Sequence, residues 1–117
     1  MNVETLARRV VLISDLTGAD IVTLVWRLAE DRETTLTTAA EVARLVGLHI
    51  AEPAEYRYLT WFASVDAMCI RRFGLSVYDM SDRDYYGAFH RGLTDTAVVD
   101  RIGRGVFNVS DAEVVDC

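Results

Sequence analysis

Between Pro53 and Phe73 the apolar positions recur with a helical period. Projected at about 100° per residue, Tyr58, Trp61, Phe62, Val65, Met68, Cys69 and Phe73 fall on one broad arc, extended by Leu59, Ala63 and Ile70. Thr60, Ser64, Ala67 and Arg71 lie opposite. Pro53 suits a first helical position and Gly74 a left-handed C-terminal cap, so the pattern predicts a helix over 53–73. One residue breaks it. Asp66 sits inside the apolar arc, between the angles of Phe73 and Leu59. A buried carboxylate must be paired or hydrogen-bonded. The helix starts expected near 76 and 82 offer backbone N–H groups, and Arg72 or Arg101 offers a charge. Asp66 is therefore read as a structural lock rather than a catalytic acid.

Capping signals mark several other elements. Ser76-x-x-Asp79 has the form of a capping box with Asp in place of Glu, Ser81-x-x-Asp84 repeats it, and Thr94 precedes a short helix at 95–102. Upstream, Thr38-x-x-Glu41 opens a helix that ends at Gly47. Gly74, Ser76 and Asp79 join Asp66 as expected structural residues.

The first 36 residues admit two readings. As helices, 3–14 and 18–33 flank the turn Asp15-Leu-Thr-Gly18, Thr17-x-x-Asp20 caps the second helix, and Ile21, Leu24, Val25 and Leu28 keep helical spacing. As strands, Val10–Ile13 pairs with Ile21–Leu28, whose Val22, Leu24, Trp26 and Leu28 alternate equally well. Periodicity does not arbitrate runs this short and apolar. A third strand at 33–37 would turn through Ala29-Glu-Asp-Arg32, which lacks Gly, Asn and Pro. Helices are favoured. The fold expected is mainly α, a compact multi-helix single domain over 1–102, with a tail at 103–117; the alternative is α+β with a β-hairpin at about 10–28. In the tail, Val106-Phe-Asn-Val109 is a short apolar patch and Ser110-x-x-Glu113 a last cap.

On the helix 18–33, Ile21, Leu24, Val25 and Leu28 are expected to pack on the helix 53–73. Val22, Trp26 and Ala29 then form a leftover stripe, and an unpartnered stripe centred on Trp marks an interface. Val22 and Trp26 are thus the candidate interaction residues.

Composition narrows the class. The chain has 117 residues, 51% of them apolar, enough for a sizeable core and too apolar for intrinsic disorder. Its net charge of −6 argues against a broad phosphate-binding surface. All 12 cations are Arg, with no Lys and no Gln. That pattern fits genomic GC bias in an actinobacterium or one of its viruses better than selection for bidentate Arg contacts. Cys69 and Cys117 lack the spacing of a zinc site or a disulfide framework, and Cys69 on an apolar face reads as an inert buried thiol. Neither a signal peptide nor a membrane span is expected, which implies a cytoplasmic protein, in the host cytoplasm if phage-encoded.

The candidate chemistry is thin. Asp79, Asp82, Asp84 and His90 invite a metal reading, but Asp-Met-Ser-Asp-Arg-Asp lacks the ligand alternation and central Gly of a calcium loop. His49 and His90 stand apart, with no nucleophile motif beside them. Thr38-Ala-Ala-Glu-Val-Ala43-Arg-Leu-Val-Gly47-Leu48 resembles the first helix and turn of a helix-turn-helix. The next residues, 49–56, make a poor recognition helix, since Pro53 lies in its interior and Glu52 and Glu55 would face phosphate. A structural helical hairpin is the plainer reading.

Residues 58–102 resemble a small uncharacterised domain of actinobacteria and their phages. The positions that carry the likeness are Trp61-Phe62, Val65-Asp66, Arg71-Arg72-Phe73, Gly74-Leu75-Ser76, Asp79, Asp82, Tyr85-Tyr86, Phe89 and Gly92. This resemblance implies a phage-type accessory protein. Val11-Leu-Ile-Ser-Asp15-Leu-Thr-Gly18, followed by Leu36-Thr-Thr-Ala-Ala, is similar to the dimerisation half of actinobacterial histone-like silencers, a β-hairpin followed by a helix. It departs from that family in lacking a glycine turn near residue 30 and the basic DNA-binding half. Together these features lead to an expectation of a non-enzymatic protein, without metal, cofactor, small-molecule substrate or membrane contact. It would bind another protein, either a host regulator that it modulates or a copy of itself. A DNA-binding helix-turn-helix regulator using 38–60 is the alternative.

Overall fold

The computed structural model describes residues 2–105, and all its regular elements are helical. In chain order they are α1 (Val3–Thr17), α2 (Ile21–Glu30), α3 (Leu36–Leu45), α4 (Leu48–Ala51), α5 (Pro53–Phe73), a 3-10 turn at Val77–Asp79, α6 (Tyr85–His90) and α7 (Asp95–Gly103). The protein is mainly α, and the β-hairpin alternative at 10–28 does not form. The described residues divide into two compact units, with the boundary inside α5 between Ala63 and Ser64. The apolar patch Val106–Val109, the cap at Ser110 and Cys117 lie outside the described residues.

In the first unit α1, α2 and α3 pack on one another and α4 packs on α3. The core holds Leu6, Val10, Val25, Leu28, Ala29, Leu36, Ala39, Val42, Leu59 and Phe62. Asn2 opens α1 by accepting from Thr5 N at 2.8 Å. The helix runs past the expected end at residue 14, and Thr17 donates its hydroxyl back to Ile13 O at 2.6 Å instead of capping the next helix. It stops at Gly18, whose φ of 75° is the left-handed cap that Gly adopts without strain. Asp20, not Thr17, occupies the N-cap position of α2. Arg32 takes a φ of 62° after α2, and the N–H groups of Glu33 and Thr34 both donate to Leu28 O. An arginine thus makes the left-handed exit for which the sequence offers no glycine.

The start of α3 also differs from expectation. Thr35 is the cap, accepting from Thr38 N at 3.1 Å, and Thr38 lies inside the first turn. Starting there buries Leu36 to 1% exposure, and a fully buried Leu contributes about 1.5–3 kcal/mol. That outweighs the Thr38–Glu41 box.

In the second unit the elements follow the caps more closely. Gly74 ends α5 with a φ of 74° and donates its N–H to Ile70 O. Both halves of the Ser76 box form, with Tyr78 N donating to Ser76 Oγ at 3.3 Å and Ser76 N to Asp79 Oδ2 at 3.2 Å. Thr94 caps α7 by accepting from Ala97 N, and α7 extends one residue past 102 to include Gly103. The second box is not used. Asp84 itself caps α6, accepting from Gly87 N at 2.9 Å, while Arg83 donates to the Ser81 carbonyl. This start turns Tyr85 and Ala88, one helical turn apart, into the core. A Cβ on residue 87 would collide with the Asp84 carboxylate, so the cap requires glycine there.

Candidate functional site

Asp66 is 3% exposed and is the one charged residue in the core among the described residues. Its Oδ1 accepts from Ser76 Oγ at 2.6 Å and from Val77 N at 2.9 Å. The carboxylate therefore holds the start of the 3-10 turn against α5, and Ser76 joins the capping box to it. Arg72 does not serve Asp66; it pairs with Asp100 at 2.7 Å. Cys69 is fully buried, and burial first, then the Asp66 carboxylate, pushes its thiol up to about 11. A thiol so protonated is no nucleophile at neutral pH.

Ser64, on the nominally polar side of α5, donates to Asp95 Oδ2 at 2.5 Å. That hydrogen bond, helped by the Thr96 donors and opposed by burial, lowers the Asp95 carboxyl below its ordinary value. A carboxyl depressed on folding adds stability above its unfolded value, and that stability is lost as pH falls through its folded value. Ser64→Ala should return the Asp95 midpoint, read from its carboxyl ¹³C shift, to the ordinary carboxylate range. It should also cost about 1 kcal/mol at neutral pH, with the difference from wild type fading in acid.

The acid-rich segment does not converge. The Asp79 and Asp84 carboxylates cap backbone N–H groups, and His90 stands edge-on to Tyr86 at 4.2 Å between ring centroids. Among the described residues no group of three or more His, Cys, Asp or Glu side chains could hold a metal ion. The helix-turn-helix likeness ends at Gly47: α4 has four residues, Glu52 leaves helical geometry at φ −136° and ψ 67°, and Pro53 begins a new helix.

Val22 and Trp26 are half-buried. The Trp26 ring packs on α5, with centroids 5.5 Å from Tyr58 and 5.9 Å from Phe62, and Ala29 beside it is 1% exposed. Of the stripe expected on α2, Ala29 is core, while Val22 and Trp26 keep part of their surface exposed. Leu24 and Leu28 line a cleft with Arg9, Val10 and Ile13 of α1. The inward arc of α2 is wider than one stripe, since Val25, Leu28 and Ala29 are buried together.

Among the described residues of this unit, a run of exposed apolar side chains lies on α1. Leu6, Ala7 and Val10 face inward, leaving Val11 at 39%, Leu12 at 56% and Leu16 at 76% exposure. Val11 and Leu12 border a shallow cleft of about 390 Å³ with Ala7, Arg8, Asp15, Leu45 and Val46, and Leu45 is itself 46% exposed. No family model, curated protein or solved structure matches the chain. The site is therefore read from its own chemistry: an apolar strip with one cation and one carboxylate at its margins.

The sequence pattern does not single out this surface, although it carries a signal for it. Four consecutive apolar residues, Val10–Ile13, cannot all face one side of a helix. Among the described residues no helix is long and apolar enough to cross a membrane.

Proposed function

We propose that this chain is a non-enzymatic accessory protein that acts by binding another protein through the outer face of α1. The exposed strip Val11-Leu12-Leu16 with Leu45 carries this reading, because large apolar side chains clustered beside a cleft are costly to leave in water and mark interaction sites. The likeness of residues 58–102 to a domain of actinobacteria and their phages, together with the Arg-only cations, supports a phage-type role in which the target is a host regulator or the protein itself. The net charge of −6 and the one-turn α4 favour a protein target over DNA.

A photo-crosslinking residue placed at position 12 should yield adducts in the cells that make the protein. The same residue at the exposed position 37 of α3 should not. Equal yields at the two positions would overturn the reading. A gel shift showing nanomolar, sequence-dependent DNA binding would replace it with the helix-turn-helix alternative.

A further inference from the structure

The polar residues that flank the α1 strip are arranged to fit the same strip turned round. Arg8 stands three residues before Val11, and Asp15 three residues after Leu12. All four residues border one cleft. Rotation by half a turn about an axis through the Val11–Leu12 midpoint exchanges Val11 with Leu12 and Arg8 with Asp15. Two copies of α1 laid antiparallel about that axis would bring Arg8 of each opposite Asp15 of the other, with four apolar side chains between the two pairs. Leu16 would fall opposite Ala7, a buried small residue at the edge of the cleft.

Both charges are available. Asp15 makes no ion pair among the described residues, and Arg8 has only an exposed 3.7 Å contact with Glu4. Antiparallel packing also sets the positive end of each helix dipole beside the negative end of the other.

We infer that the partner of this surface is a second copy of the chain, docked through α1 in an antiparallel, two-fold symmetric pair. This inference rests on the reading of α1 as an interaction surface and names its occupant. A parallel pair, or a partner of unrelated charge pattern, would set Arg8 against Arg8 or leave both charges unmatched. An interface of this kind is isologous, so any change in the strip counts twice.

The test is light scattering on purified full-length protein, with circular dichroism to confirm unchanged helix content. Wild type should reach twice the 13.1 kDa chain mass at high micromolar concentration and dissociate on dilution. R8D alone places two pairs of carboxylates in contact, and D15R alone two pairs of guanidinium groups. Each should raise the dissociation constant about tenfold or more. An equimolar mixture of R8D and D15R should form a heterodimer as tight as the wild-type pair, because both cross-pairs are again of opposite sign. A wild-type dimer unaffected by either swap, or a mixture that stays monomeric, would overturn the proposal. A monomeric wild type that still crosslinks from position 12 to other polypeptides would rule out the second copy and leave the interaction surface standing. A monomer that crosslinks to nothing would remove both.

Discussion

Asp66→Ala should lower the unfolding free energy by about 2–4 kcal/mol, through the loss of a buried acceptor that two donors share. Ser76 Oγ and Val77 N both point at Asp66 Oδ1, and Val77 is buried, so its N–H has no alternative in water. The loss should spread to the 3-10 turn, because Ser76 also accepts from Tyr78 N. Asp66→Asn keeps an acceptor oxygen and should cost less than Ala. Chemical denaturation of the two variants beside wild type checks the order. An Ala variant with an unchanged midpoint would show that the carboxylate contributes nothing to the fold.

Trp26→Ala should cost about 2–3 kcal/mol, below the range for a fully buried Trp because the ring retains part of its exposure. Its two neighbours, Tyr58 and Phe62, are stacked on each other with planes 6° apart, so removing Trp26 uncovers a paired aromatic face. Trp26→Phe should recover more than half of the loss. The measurement is thermal unfolding followed at 222 nm, which does not depend on the fluorescence of Trp61. A large loss of association with unchanged stability would return Trp26 to the interface role that the α2 pattern suggested.

Where a single local rule decides, the sequence was legible. Pro53 and Gly74 bound α5, and Ser76 and Thr94 occupy their expected cap positions, because each signal is complete within a few residues. Asp66 stood out for a similar reason: a carboxylate within an apolar arc has few physical solutions. Local rules failed where two candidates compete. Thr35 and Thr38 can each cap a helix, and the burial of Leu36 decides between them. The Ser81 and Asp84 starts compete in the same way, and the inward packing of Tyr85 and Ala88 selects Asp84. The outer face of α1 was hidden for a different reason. Which side of an apolar helix remains uncovered depends on what packs against it, and with a strand reading open for Val10–Ile13 the sequence alone did not assign faces. The pattern accordingly points to α2 for the leftover stripe, the helix whose Trp is used within the unit.

The α1 strip is proposed as surface for binding rather than core. Leu12→Asp tests it most directly, with stability and self-association measured on the same sample. The melting temperature should stay within a few degrees of wild type, since Leu12 is 56% exposed, while the dimer dissociation constant rises by about a hundredfold or more. A variant that melts far below wild type would contradict the proposal by showing Leu12 to be core, as would one that associates unchanged.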